Sequence, residues 1–266
     1  MVSFTNLLTA GLVASAALAA PHSHAAAHKK RSSTKRGAAY NDITTVTSLS
    51  SVTWAYNWGM TNWGLDLPKG VEYVPMLWGS KDFGGWLTAV ETLLNSGTNY
   101  ILGFNEPDNS GQSSMTPSEA ASNYLAYITP FKGQAKLISP AVTSSTNDGE
   151  GLSWFGEFIA DCSSCGITGL AVHWYGDSAD QLISFVKKAV KAAAEYGLEE
   201  VWLTEFALNA DVNGIADTSV TQAFLNEVVP FLESTDGITR YSYFMCADNY
   251  LLTNGALNAV GTTYLS

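Results

Sequence analysis

The spacing of the apolar runs along the chain is the strongest constraint on its fold. Five short runs begin at residues 100, 136, 168, 200 and 238, so that they recur every 32 to 38 residues. Most of them are continuous rather than alternating, which is typical of parallel strands covered on both faces. The period fits one strand and one helix per unit. It therefore favours an α/β fold, a compact TIM-type (β/α)8 barrel, with a doubly wound open sheet as the alternative.

Seven segments are predicted to be strands: 51–59, 71–79, 100–106, 136–142, 168–176, 200–207 and 238–246. Helices are predicted between them, and two have clear boundaries. Thr116, Pro117 and Glu119 form a capping box with proline at the first helical position, and Ser178 begins a helix that Gly197 ends. An eighth strand is expected either within 37–50 or as an irregular segment.

The amino terminus has the pattern of targeting and processing segments. Residues 1–20 are predicted to be a secretory signal peptide, because their apolar run is too short to span a bilayer and ends in an A-x-A site. Residues 21–36 are small, polar and basic, and they end in Lys35-Arg36, a pair that secretory-pathway proteases cut. They are predicted to be a pro-segment, with an unprocessed linker as the alternative. Residues 37–266 would then form the catalytic barrel.

Charge and histidine content exclude several functions. Residues 37–266 contain eight Lys and Arg against 24 Asp and Glu, so nucleic acid and anionic membranes are not expected partners. Their single histidine, His173, and the absence of G-x-S-x-G leave little room for a Ser-His-Asp hydrolase, although His173 alone does not exclude one. H-E-x-x-H is absent, and no metal or cofactor is predicted. A monomer is expected.

The three cysteines are predicted to be structural. Cys162 and Cys165 are three residues apart, and a local disulfide is favoured over a redox or metal motif in an oxidising compartment. Cys246 lies on an apolar segment and is expected to be a buried free thiol.

Polar and aromatic residues collect at the carboxyl ends of the predicted strands, where barrel enzymes carry their sites. The candidate substrate-binding residues there are Tyr56, Asn57, Trp58, Trp78, Asn105, His173, Trp174, Tyr175, Phe206 and Phe244. Aromatic faces with amides and carboxylates suit a sugar-binding cleft, although core packing is the alternative for each aromatic residue. Trp54, Trp86, Trp154 and Trp202 lie away from the strand ends and are expected in the core.

Two glutamates, Glu106 and Glu205, differ from the other acidic residues because each ends an apolar run. An unpaired charge in that position is costly without a partner or a role. The two residues lie three βα units apart, so a closed barrel would bring both carboxylates to one pocket. Paired carboxylates catalyse glycoside hydrolysis; a structural ion pair or loop caps are the alternative. Pro107 would then turn the chain away behind Glu106.

The motifs ILGFNEPD, PMLWG, YNWG, AVHWYG and WLTEFA resemble those of glycoside hydrolase family 128, the fungal alkali-sensitive-linkage-protein-like catalytic domains. The resemblance implies a (β/α)8 barrel that hydrolyses β-1,3-glucan with retention of configuration. It also implies that Glu106 is the acid/base, on strand four, and Glu205 the nucleophile, on strand seven. Asn105 would bind the sugar hydroxyl next to the anomeric carbon.

The expected function is a secreted β-1,3-glucan hydrolase, endo- or exo-acting, on cell-wall or storage glucan. A wall-associated glucan-binding protein with little turnover is the alternative. A purely structural wall protein is the least favoured hypothesis because it leaves both glutamates unexplained.

Overall fold

The structure, a computed structural model, describes residues 35–266. The predicted signal peptide and residues 21–34 of the basic segment lie outside this range. Eight strands run parallel to their neighbours: β1 Gly37–Ala39, β2 Trp54–Tyr56, β3 Glu72–Tyr73, β4 Tyr100–Ile101, β5 Lys136–Val142, β6 Ile167–Gly176, β7 Glu200–Leu208 and β8 Ile238–Tyr243. All seven strands predicted from the sequence are confirmed. The additional strand, β1, lies within 37–50.

Helices connect most of the strands: α1 Ile43–Val46, α2 Trp86–Asn95, α3 Pro117–Tyr127, α4 Gly151–Asp161, α5 Ala179–Glu195, α6 Thr218–Ser234 and α7 Ala259–Leu265. A short antiparallel pair, β9 Leu252–Thr253 and β10 Ala256–Leu257, precedes α7. The predicted helix starts are confirmed, because Thr116 and Glu119 form the capping box of α3 and Ser178 caps α5. Within residues 35–266, every helix is too short or too polar to cross a bilayer.

The strands form a curled parallel sheet in two hydrogen-bonded groups, with the orders β1-β2-β3 and β4-β5-β6-β7-β8. Single parallel bridges join residues at the borders of the two groups, Met76 with Leu102 and Arg36 with Tyr241. Strands four and seven are β4 and β7, so Glu106 follows the fourth strand and Glu205 lies on the seventh.

Two apolar layers hold this sheet. The inner layer combines buried residues from all eight parallel strands or their ends: Ala39, Trp54, Tyr56, Val74, Met76, Leu102, Ile138, Ala141, Ala171, Trp202 and Met245. The larger outer layer lies between the strands and the helices, and it includes Trp86 and Trp154. The four tryptophans that were expected in the core are therefore buried there.

The last two residues of the predicted pro-segment belong to the fold. The Lys35 ammonium donates to three carbonyls at the end of α6, those of Leu232, Glu233 and Thr235. The buried Arg36 guanidinium donates to the Tyr241 hydroxyl at 3.1 Å and to the Ser266 carbonyl at 3.0 Å. Tyr241 also donates its backbone N–H to the Lys35 carbonyl at 2.8 Å. The folded unit therefore begins before residue 37.

The cysteines are placed as predicted. Cys162 and Cys165 form a disulfide at the end of α4. Cys246 is a buried free thiol, and burial raises its pKa to about 11 despite a hydrogen bond to Thr45.

Candidate active site

The two predicted catalytic glutamates meet at the carboxyl ends of the parallel strands. One carboxylate oxygen of Glu106 and one of Glu205 lie within 4.8 Å of each other, together with a ring nitrogen of His173. Both glutamates are buried, with 8% and 6% of their surface exposed. A charged pair buried this deeply is stable only with hydrogen-bond partners, and each carboxylate has them.

A register shift between β6 and β7 positions Glu205. Val172 pairs with Leu203, but the next residue, His173, pairs with Glu205, so Thr204 is the extra residue of a bulge. Bulges next to active sites redirect side chains, and this one directs Glu205 towards the pocket. Its oxygens accept hydrogen bonds from Trp58 Nε1 at 2.6 Å and from the Tyr175 hydroxyl at 2.5 Å.

Glu106 is positioned by a tight turn after β4. Its backbone has φ 42°, a left-handed conformation that costs a non-glycine residue about 1 kcal/mol or more. Hydrogen bonds hold the turn, from Glu106 N to the Ala141 carbonyl at 2.8 Å and from Asn109 N to the Glu106 carbonyl at 3.0 Å. Asn109 Nδ2 donates to the Glu106 carboxylate at 2.9 Å. The strand therefore ends in a strained turn that presents the carboxylate.

His173 is fully buried between the two glutamates. Its Nδ1 lies 2.8 Å from Glu106 Oε1 and 3.4 Å from Glu205 Oε2. Burial lowers the pKa of the imidazole, but the Glu205 charge and the hydrogen bond and charge of Glu106 outweigh burial and raise the pKa above its usual value. Burial raises the pKa of the Glu106 carboxyl, but His173 and Asn109 outweigh burial and lower it. Both shifts favour a proton on His173 and a negative charge on Glu106.

The pocket above the glutamates has a volume of about 480 Å³. It is lined by both glutamates and by Asn41, Trp58, Trp78, Asn105, Gln112, Tyr175, Val212, Phe244 and Met245. The Lys81 ammonium lies 3.7 Å from the centre of the Trp78 ring, so one face of this ring is covered. Asn105 Oδ1 is buried and has no hydrogen-bond partner among the described residues, which leaves it free for a ligand hydroxyl.

Five of the ten predicted substrate-binding residues line this pocket: Trp58, Trp78, Asn105, Tyr175 and Phe244. Trp174 and Phe206 point to the outer layer instead, where each packs against Phe224 of α6. Neither residue lines this pocket, because side chains alternate between the faces of a strand, so that of residues 173–175 only His173 and Tyr175 face inward.

Tyr56, Asn57 and His173 lie near the pocket without lining it. Tyr56 is fully buried and donates its hydroxyl to the Thr204 carbonyl at 3.0 Å. The Asn57 amide holds its own loop, accepting from Gly59 N and donating to the Thr61 carbonyl. His173 contacts the glutamates rather than open space. All three residues support the site from beside the pocket, and their predicted contact with substrate stays a prediction.

Sequence reasoning missed four lining residues, Asn41, Gln112, Val212 and Met245. Asn41 follows β1, the strand that the apolar pattern does not reveal, so no strand end is predicted at Asn41. Met245 directly follows the predicted Phe244. Gln112 and Val212 lie on loops after β4 and β7, and no local pattern marks them.

Within the described chain, Glu106, His173 and Glu205 also form the one group of side chains that could hold a metal ion. Their atoms are engaged with one another and with Asn109, Trp58 and Tyr175, so a cation would have to replace these hydrogen bonds. The prediction that the protein uses no metal stays a prediction.

A curled parallel α/β sheet with paired glutamates at its carboxyl edge is typical of glycoside hydrolases. A family model described as "Glycosyl hydrolase catalytic core" matches residues 37–264, and the chain belongs to this family. Similar solved structures are members of glycoside hydrolase family 128, as the sequence motifs predicted.

Three relatives illustrate the similarity. Alkali-sensitive linkage protein 1 of Schizosaccharomyces pombe is 31% identical over 230 residues, 81% of this chain and 40% of that protein, so this chain spans less than half of that relative. A curdlan-specific exo-β-1,3-glucanase from Blastomyces gilchristii, solved with glucose, is 39% identical, with a TM-score of 0.80 over 87% of this chain and 97% of that one. An endo-β-1,3-glucanase from Sorangium cellulosum is 28% identical, with a TM-score of 0.71 over 87% and 98%.

Proposed function

We propose that this protein is a secreted, retaining β-1,3-glucan hydrolase that acts on cell-wall or storage glucan. The observation that carries the proposal is the close pair of buried carboxylates, with oxygens within 4.8 Å of each other. Retaining glycosidases hold their two carboxyl groups about 5–5.5 Å apart, whereas inverting enzymes leave about 6.5–9.5 Å for a water. The β-1,3-glucanase activities of the Blastomyces and Sorangium relatives support the substrate.

The fold supports a (β/α)8 barrel for this function. Eight parallel strands are present, and the bridges of Met76 with Leu102 and of Arg36 with Tyr241 lie where the two groups of strands would close on each other. We therefore infer a closed barrel of the TIM type. The site would lie at the end of the barrel that is formed by the carboxyl ends of the strands.

Glu205 acts as the nucleophile in this mechanism. Trp58 and Tyr175 each donate a hydrogen bond to it, which directs the carboxylate at the anomeric carbon. Attack forms a covalent glycosyl ester and breaks the bond to the leaving oxygen, which takes a proton from Glu106. Asn105 binds the neighbouring sugar hydroxyl through its free Oδ1.

The proton for the leaving oxygen comes from the Glu106–His173 pair. At rest the lowered pKa of Glu106 and the raised pKa of His173 favour this proton on the imidazole, whose Nδ1 lies 2.8 Å from Glu106 Oε1. As Glu205 forms the ester, its negative charge is lost, and so is the main influence that raises the pKa of His173. The proton then moves to Glu106 and on to the leaving oxygen. The ionised Glu106 next accepts a proton from the attacking water.

The alternative of a glucan-binding protein with little turnover is favoured by one observation, the lowered pKa of Glu106, which leaves the acid ionised at rest. The two proposals differ in the rate of product formation and agree on glucan binding.

Secretion and the division of the chain complete the proposal. Residues 1–20 would be a signal peptide, 21–34 a basic segment, and the remainder the catalytic unit, with the cell wall as the expected location. Glucan is neutral, so it is not repelled by the acidic surface of residues 37–266.

Laminarin hydrolysis by the purified protein tests the function. We expect release of reducing sugar and, by proton NMR, a β-anomer as the first product, because two displacements restore the configuration. An α-anomer would contradict the double displacement and leave the glucanase proposal intact. Laminarin binding without reducing-sugar release would support the glucan-binding alternative instead.

A further inference from the structure

A second groove lies beside the candidate active site, between the amino-terminal halves of α4 and α5. Its volume is about 610 Å³. One wall is formed by the loop after β5 and the first residues of α4, at 144–153, and the other by α5 from Asp180 to Lys188. Tyr175 lines both this groove and the catalytic pocket, so the two spaces are neighbours across one side chain.

The wall of this groove is tied to the turn that carries Glu106. The Asp108 carboxylate accepts hydrogen bonds from Thr143 N at 3.1 Å, from the Thr143 hydroxyl at 2.5 Å and from Gly151 N at 2.8 Å. Asp108 lies two residues after Glu106. The groove and the proposed acid/base are therefore held in one fixed arrangement.

The lining of the groove combines apolar side chains with unoccupied polar groups. Leu152, Trp174 and Phe185 supply the apolar surface. Within the described residues, the side chains of Thr146, Ser184 and Lys188 line the groove and make no hydrogen bond or ion pair. Hydroxyl and ammonium donors above an apolar surface match a sugar chain, which offers hydroxyls at its edges and C–H groups on its faces.

We propose that this groove binds the leaving-group part of the β-1,3-glucan chain, several sugars away from the cleaved bond. This inference rests on the proposed function. The acid/base lies beside the leaving oxygen, so the leaving part of the chain extends to the side of Glu106, and Asp108 ties the groove to that side. Trp58 and Asn41, by contrast, come from β1 and β2 on the other side of the pocket.

The test compares short and long substrates. Ser184→Trp places a bulky ring in the groove from an exposed helical position, and Lys187→Trp, on the same helix but outside the groove, is the matched control. The measured quantity is the ratio of kcat/KM for laminarihexaose to kcat/KM for laminaritriose. We expect Ser184→Trp to lower this ratio about tenfold, the effect of losing one or two neutral hydrogen bonds. Gln181→Ala, a milder change in the same groove, should lower it less.

Each outcome has a distinct meaning. A wild-type ratio in Ser184→Trp and Gln181→Ala, or an equal fall in Lys187→Trp, would overturn the groove as a subsite. If the wild-type protein hydrolyses neither laminarihexaose nor laminaritriose, the proposed function is overturned. A lower kcat/KM ratio in Ser184→Trp, with an unchanged ratio in the control Lys187→Trp, supports the inference.

Discussion

The strands before Glu106 and those after it are built differently. The first four contain three, three, two and two residues, whereas the last four contain seven, ten, nine and six. The later half alternates its long strands with helices of 11, 17 and 17 residues. In the earlier half, β2 and β3 are joined by a loop without a helix.

The two halves contribute different parts of the site. The long strands β6 and β7 hold His173, Tyr175 and Glu205, in a register that one bulge at Thr204 shifts. The short strands are followed by loops whose backbone is not held in a sheet. In the loop after β2, Trp58 has φ 58° and donates a hydrogen bond to Glu205. The long strands therefore position Glu205 and His173, whereas the irregular connections position Glu106 and supply part of the pocket wall.

The largest expected effect comes from the two glutamates, one from each half. Glu205→Gln should abolish hydrolysis, because no nucleophile remains, while Glu106→Gln should lower kcat about 10³-fold. In an aryl laminarioside with an acidic phenol, the leaving oxygen needs little protonation. Glu106→Gln should therefore form the glycosyl ester from this substrate at a rate close to wild type, and Glu205→Gln should not. Calorimetric titration with laminarin should show retained binding in both variants. If Glu106→Gln lost as much activity on the aryl laminarioside as on laminarin, the assignment of Glu106 as the acid would be contradicted.

The two donors to Glu205 come one from each half, so Trp58 tests whether the irregular half takes part in catalysis and Tyr175 tests the regular half. Trp58→Phe and Tyr175→Phe each remove one hydrogen bond to the carboxylate, which is expected to lower kcat about ten- to a hundredfold. Trp63→Phe, in the same loop as Trp58 but 76% exposed, and Tyr196→Phe at the end of α5 are the matched controls. A rise in KM at constant kcat in Trp58→Phe would mean that the loop is only a wall.

The smallest expected effect concerns the contact between β1 of the earlier half and β8 of the later half. Arg36→Ala removes hydrogen bonds from a buried guanidinium to Tyr241 and Ser266, and it should lower the free energy of unfolding by about 2 kcal/mol. Urea unfolding measures this change, with the exposed Lys69→Ala as the control. An unchanged midpoint in Arg36→Ala would show that β1 and β8 hold together without this contact.

The sequence predicted the later half well because long buried strands and amphipathic helices leave strong periodic patterns. β5 was predicted with the bounds 136–142 that it has. The missing strand, β1, has the sequence Gly-Ala-Ala, which is too short and too small to be an apolar run. Because that strand was not located, Asn41 after it was not considered for the site.

Within the site, the sequence predicted which residues end the strands but not which way they point. The bulge at Thr204 lets Glu205 face the pocket and leaves Phe206 facing out, and no residue pattern marks it. Trp174 faces out because it lies between two inward-facing neighbours. Side-chain direction depends on pairing with a distant strand, which a single sequence does not encode locally.

The hydrogen bonds of the half-buried Lys35 and the burial of Arg36 have a consequence for any proteolytic processing at this pair. In the native protein Arg36 lies against Tyr241, and the Lys35 side chain closes the end of α6. A protease that recognises this pair needs both side chains free in an accessible, extended chain. Cleavage after Arg36 must therefore precede folding, and cleavage after folding must fall ahead of Lys35. If the chain is processed here, its new first residue would record which of the two events came first.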